Sequence, residues 1–261
     1  MNEKSVFTAP NDLNIPIWRY MGFTKFVSML QNQGLYFSRS DKLGDHFEGF
    51  YPQGTEDAHR GTREIIGESF GKLAINYLKN LDRRRVEIAQ KYVMVNCWHM
   101  NKNESAAMWK IYGVSNEAVA IRSSYSSLRR CLDSSIDIST VDYVSDKEFI
   151  SEYTGSPEQR VFIPFVHKRE YFSYEQELRA IFSELSQDEK ISDLGNPKVK
   201  IITVPRDDGV WQTADLNLLI DAVFVAPTAP VWFKDLVHQV SDKFGLNKAP
   251  IQSSLDKITH Q

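Results

Sequence analysis

Cysteine is nearly missing: Cys97 and Cys131 are the two in 261 residues. They form no C-x-x-C pair, and two cysteines make neither a disulfide framework nor a zinc ribbon. Cys97 lies in an apolar run, where a thiol behaves as a small buried hydrophobe. The six histidines fall in no H-E-x-x-H or H-x-x-x-H spacing, so no metal is expected. Long apolar runs are missing too. Nothing approaches the roughly 18 apolar residues of a membrane span. The opening MNEKSVFTAPNDLN lacks the apolar stretch of a signal peptide. The expectation is a cytoplasmic protein with no membrane partner. Charge of one sign is also scarce: a net charge of -3 provides no global field to draw nucleic acid or anionic lipid. Arg83-Arg84-Arg85 reads as a solvated helix face. Neither G-x-G-x-x-G nor G-x-x-x-x-G-K-[ST] occurs, which disfavours a Rossmann turn and P-loop chemistry.

What is present is ordinary globular material, 42% hydrophobic and 25% charged. The length suits one large domain that buries its own core. Residues 1–14 read as a polar lead-in, and 15–261 as one domain. Ile15–Met21 has strand composition. Thr24–Asn32 carries a helical stripe, with Thr24 as N-cap and Gly34 as stop. Leu35–Ser38 is a second strand. Asp41–Gly61 reads as a long ordered loop, and Thr62–Tyr92 as helices broken near Asn80-Leu81-Asp82. Strands are expected at Val93–His99, Ala118–Arg122, Val141–Val144, Arg160–Val166, Val199–Val204 and Ala222–Val225. Helices are expected at Glu104–Tyr112, Ser126–Leu132 and Val231–Phe244. Glu175–Phe182 suits either state. Without regular βα alternation, the fold class is α+β: a mixed or mainly antiparallel sheet with flanking helices.

Four segments concentrate polar and aromatic side chains. In Trp18-Arg19-Tyr20 the two aromatics share a strand face; they are either core or a ligand wall. Tyr36-Phe37-Ser38-Arg39-Ser40 runs on to Asp45-His46-Phe47-Glu48. Turn chemistry explains part of it, but the ionisable groups exceed what a turn needs. Cys97-Trp98-His99 is followed by Met108, Trp109 and Tyr112 on one helix face, a core stripe or a pocket wall. In Lys168-Arg169-Glu170-Tyr171-Phe172-Ser173-Tyr174-Glu175-Gln176-Glu177-Leu178-Arg179, an extended chain puts Glu175, Glu177 and Arg179 on one side. That is either a solvated salt-bridge ladder or a carboxylate kept charged by cations. Asp45, His46, Glu48 and His99 could alternatively gather a metal for phosphodiester hydrolysis.

These four segments resemble a bacterial and phage domain-of-unknown-function family, number twenty-nine seventy-one, over about residues 17 to 182. This chain has Gly44-Asp45-His46-Phe47 where the family pattern has Asn-Asp-Pro-Phe. A second resemblance is to the ADP-ribosyltransferases: Arg19 or Tyr20, then Ser38-Arg39-Ser40, then Glu175-Gln176-Glu177 occur in that superfamily's order. It implies an ADP-ribosyltransferase-like fold and NAD consumed as substrate, by transfer or by hydrolysis. Glu177 would be the catalytic carboxylate and Glu175 would position the acceptor. Arg19, Tyr20, Tyr36, Ser38 and Ser40 would bind NAD, with Asp45, His46, His99, Trp109 and Arg179 in support. The acceptor would be a protein or a nucleic acid. A toxin or phage-defence role, with a regulatory or antitoxin protein as partner, follows from the resemblance alone. A non-catalytic module that binds a nucleotide or partner is the remaining alternative.

Overall fold

The computed structural model describes residues 5–45, 47–113, 116–150, 159–183 and 208–255. Helix α1 (Phe23–Asn32) joins β1 (Pro16–Gly22) to β2 (Gly34–Arg39) because Phe26, Met29 and Leu30 repeat at helical spacing and are buried. The helix starts one residue before Thr24. Its N-cap is Gly22, which offers no side-chain cap, and Gln33 ends it at a left-handed φ of 46°. Gly34 serves close approach instead: a Cβ there would stand 2.3 Å from the Gln212 carbonyl oxygen.

Helix α2 (Gln53–Phe70) takes over the last part of the expected loop, and α3 (Lys72–Tyr92) follows where helix was expected. The break between them is at Gly71, φ 85°, and not near residue 80. There the chain needs a backbone conformation that glycine adopts freely. Next come β3 (Val93–Met100), α4 (Ala106–Tyr112), β4 (Ala118–Ser124), α5 (Tyr125–Cys131), β5 (Asp137–Thr140) and β6 (Asp142–Val144). The expected strand at Arg160–Val166 is a 3-10 segment over Arg160–Phe165. It contains Pro164, and its Ile163 and Phe165 plug a core. The chain continues through β7 (His167–Arg169), a 3-10 turn at Glu170–Glu175, and β8 (Glu177–Ser183). It ends with β9 (Gly209–Thr213), α6 (Leu216–Leu219), β10 (Ala222–Val225), α7 (Val231–Lys243) and β11 (Ile251–Gln252). The strand expected at Val199–Val204 lies outside the described residues.

The result is a mixed α+β domain. Among the described residues nine strands form one sheet, antiparallel except for the β10–β11 pair, and β6–β7 form a small second sheet. One face of the large sheet meets α1, α5, α6 and α7 across the main core. The other face carries two separate cores. One, around Trp18, Tyr20 and Phe224, is covered by α4. The other, around Val93, Val95 and Ile181, is covered by Phe165 and by Val6 of the lead-in. Residues 5–14 are therefore partly packed: Thr8 exchanges backbone and side-chain hydrogen bonds with Ser139 and Thr140.

The feature that makes room for a site is a split in the sheet. Along one edge β3 pairs with β8 from Val93 to His99. Along the other, β2 pairs at Ser38↔Val95 and Arg39↔Met94, while β1 pairs at Ile17↔Met100 and Trp18↔His99. Between those registers β1 and β2 diverge. Asn96 bridges the gap by donating to the Tyr36 carbonyl, 2.8 Å, and accepting from the Trp98 indole, 2.7 Å.

Gly209, φ 153°, lies where β9 crosses β2; a Cβ would stand 2.1 Å from the Phe37 carbonyl oxygen and 2.9 Å from the Tyr36 ring. Gly209→Ala is expected to lower stability by about 1–3 kcal/mol through overpacking. Urea denaturation checks this, and an unchanged midpoint would contradict it.

Candidate active site

A cavity of about 800 Å³ opens in the split, within the range of small-molecule sites. One lip is Trp18, Arg19 and Tyr20 of β1; the other is Tyr36 and Ser38 of β2 with Trp211 of β9; Lys25 and Ser28 come from α1. The floor is Cys97 and His99 of β3, Glu177 and Arg179 of β8, and Lys168 and Glu175 arriving from above.

The floor is ionic and buried. Register places His99 opposite Glu177 and Cys97 opposite Arg179. Arg179, with no exposed surface, donates from Nε to Glu177 Oε2 at 2.6 Å and from Nη1 to the Phe165 carbonyl at 2.9 Å. Both of its Nη atoms hold the Glu48 carboxylate, Nη2 at 3.1 Å. Lys168 Nζ donates to Glu177 Oε1 at 3.1 Å and to Glu175 Oε2 at 2.5 Å. Glu175 is not on the strand. Gln176, φ 41°, is a left-handed step that ends the 3-10 turn, and it folds Glu175 back beside Glu177.

Two neighbouring carboxyls therefore diverge. Burial raises both, but for Glu177 the charges of Arg179 and Lys168 outweigh it and hold the carboxyl well below its ordinary 4.5. Glu175 has no arginine. Burial and the charge of Glu177 push it up to about 7. Lys168 stays charged, since against burial, the largest single effect, Glu177 and Glu175 together raise its pKa. Cys97 is pushed up to about 12, chiefly by burial, and is an inert thiol. Burial lowers His99, whose Nδ1 donates to the Glu175 carbonyl oxygen at 2.6 Å. A carbonyl only accepts, so the neutral ring carries its proton on Nδ1.

Arg19 is the exception among the cations. Burial lowers its pKa, it lies near Cys97, and its buried Nη1 has no hydrogen-bond partner among the described residues. A buried unpaired donor costs about 1–3 kcal/mol.

Of the residues singled out in the sequence, Arg19, Tyr20, Tyr36, Ser38, Asp45, His99, Glu175, Glu177 and Arg179 line this one cavity. Tyr20 spends its hydroxyl oxygen accepting from the Ser105 N–H, 2.8 Å. Asp45 pairs with Arg169 at 3.0 Å. Ser40 does not reach the cavity: it is buried and donates to the Gln90 carbonyl at 2.9 Å. Trp109 stands behind Tyr20, edge to face at 5.0 Å, with its indole on Glu104. His46 lies outside the described residues. Asp45, Glu48 and His99 face different partners, and among the described residues no group of three His, Cys, Asp or Glu is placed to hold a metal.

Trp211 is the addition the sequence reading lacked, while Lys168 belongs to the fourth segment but had no contact assigned to it. Lys168 reaches the carboxyls only because the 3-10 turn doubles the chain back. Trp211 arrives through a strand pairing with β2 remote in sequence. Gly67-Glu68-Ser69-Phe70-Gly71 has G-x-S-x-G spacing, a motif the sequence reading took as absent. It closes α2, and Ser69 donates to the Ile65 carbonyl at 3.4 Å, so it is not a strand-to-helix nucleophile elbow. No family model, curated protein or solved structure matches the chain, and no helix among the described residues is long and apolar enough to cross a membrane.

The two carboxyls make opposite contributions to pH dependence. Glu177, lowered, stabilises the fold above its ordinary 4.5, and this is lost as pH falls through its depressed value. Glu175, raised, stabilises the protonated fold below 4.5, and this is lost as pH rises towards about 7. Glu175→Gln is thus expected to flatten the fall in melting temperature between those values. An unchanged slope would contradict the assignment.

Proposed function

We propose that this chain consumes NAD, as an ADP-ribosyltransferase-like enzyme or an NAD glycohydrolase, with the sheet split as its substrate cleft. The observation that carries the reading is the pair of adjacent carboxyls at the cavity floor, one held ionised and the other poised near neutrality. Such a pair divides two tasks between two groups.

The C1′–N bond of the nicotinamide riboside breaks with its electron pair moving to the ring nitrogen, and positive charge develops on the ribose. Ionised Glu177 favours that charge electrostatically. Water or another acceptor hydroxyl attacks C1′, and its proton passes to Glu175 in its ionised form. A group with this midpoint suits the transfer. Arg19 supplies an unused buried cation for a phosphate. Tyr36 and Trp211, with rings 5.2 Å apart, give apolar wall for a planar ring. The toxin or phage-defence setting belongs to the same proposal and rests on the resemblances in sequence.

One observation favours a second reading. Both oxygens of Glu177 already accept from cations, which blunts its charge and suits a nucleotide-binding module without turnover. Nicotinamide release by the purified protein separates the two. Glu177→Gln is expected to reduce release at least about a hundredfold while the protein stays folded. Wild-type release from that variant removes Glu177 from the mechanism. NAD binding with no release by the wild-type protein selects the module.

Arg19→Met gives a different signature. The guanidinium loses no partner among the described residues, so melting temperature is expected to hold or rise, while NAD affinity falls about tenfold or more, a charge-assisted contact being worth roughly 1.5–3 kcal/mol. Calorimetric titration alongside a melting curve checks both; unchanged affinity would take Arg19 out of the site.

A further inference from the structure

The cavity floor holds three carboxylates, Glu48, Glu175 and Glu177, against two cations, Lys168 and Arg179. Glu48 contributes to this imbalance from far away in sequence and is fixed in place. Its carbonyl accepts from Gln90 Nε2 at 2.7 Å. The following Gly49, φ 81°, lies so near Phe165 that a Cβ would come within 2.8 Å of that ring. Only 4% of Glu48 is exposed, so its charge is compensated mainly by Arg179.

We propose that Glu48 is a positioning residue of the Glu175–Glu177 pair: by holding both Nη atoms of Arg179, it shares that guanidinium's charge with Glu177, which meets it through Nε and Nη2, and keeps one proton resident on the neighbouring Glu175. The proposal rests on reading that pair as the reacting carboxyls, but its physical content stands apart from NAD.

All five side chains are nearly buried, so the parity of their charges matters. With all three carboxyls ionised, the cluster carries one net negative charge; one bound proton brings it to zero. A low-dielectric site favours the neutral sum. The proton goes to the carboxyl farthest from Arg179 along the bonded chain, which is Glu175. The other ionisable groups around it do not supply the missing positive charge. Lys168 of β7 is already counted, and Arg169 is spent on Asp45. His99 of β3 is held neutral by burial, Cys97 stays protonated, and Tyr112 of α4, Tyr143 of β6 and Tyr174 of the 3-10 turn are all raised by burial. Arg19 lines the same cavity but forms no ion pair with any of the three carboxyls among the described residues, and its electrostatic neighbour is Cys97.

Glu48→Gln keeps the shape and removes one negative charge. Arg179 then turns more of its charge to Glu177, the cluster balances without a bound proton, and Glu175 gives its proton up more easily. The readout is the carboxyl carbon-13 titration of Glu175, assigned by its loss in Glu175→Gln. Glu48→Gln is expected to shift the midpoint at least about one unit towards acid, a tenfold change in proton affinity, and Glu48→Asp to restore most of it. A wild-type midpoint in folded Glu48→Gln would overturn the proposal. If Glu48→Gln does not fold, Glu48→Leu with Arg179→Leu removes both charges together and strands neither. The Glu177 titration should then rise towards that of Glu175; midpoints as far apart as in the wild type would overturn the proposal. Nicotinamide release is measured separately. Its absence from the wild-type protein would remove the NAD reading and leave the titration result to decide the role of Glu48.

Discussion

A buried surplus of one carboxylate governs the floor of this protein's cavity. Glu48, Arg179, Glu177, Lys168 and Glu175 form an unbroken chain of ion pairs under the gap between two cores. Such a chain is weak evidence for stability, since desolvating five ionisable groups offsets much of their attraction. Apolar residues would fill that space at lower cost. What the chain provides is a pair of carboxyls held in different protonation states and opening onto a cavity. Perturbed groups of this kind cluster at functional sites.

The sheet makes the arrangement reachable. Strand β3 offers one edge to both β1 and β2, and where they diverge Cys97 and His99 line the cavity. The same divergence gives Arg19 a path into the cleft, where its Nη1 stays unsatisfied among the described residues. Paired buried charges and an unpaired cation thus share one space. The first set is internally committed; the second is free to meet a ligand.

Much of this was legible in the sequence, and the failures have physical reasons. Alternation and helical stripes found β1, α1, β2, β3, β4, β10 and α7, because those elements bury one face against the main core. The four polar-aromatic segments do contribute to one cavity, since the strands carrying them are neighbours in the sheet. Boundaries failed where tertiary contact decides. Gly34 reads as a helix stop but is required by β9, and Pro164 lies in an apolar run that plugs a core without extending. Residues 53–61 looked like loop because their polar composition conceals an exposed helix. Ser40 has the spacing of a site residue, yet the turn after β2 points it at Gln90. Lys168 could not be placed, since its reach depends on the 3-10 turn at Glu170–Glu175 and the left-handed Gln176. The protonation split of Glu175 and Glu177 follows from Arg179 lying on one side only, which no spacing rule reveals.

The central claim is that a proton resides on Glu175 at the cavity floor near neutral pH. Infrared difference spectroscopy of the wild-type protein and Glu175→Gln, titrated from mildly acidic to mildly alkaline pH, addresses it directly. The account predicts the carbonyl stretch of a protonated carboxyl in the wild-type protein, fading as pH rises through neutrality and missing from the variant. A wild-type protein whose carboxyls are all ionised in mildly acidic solution would contradict it.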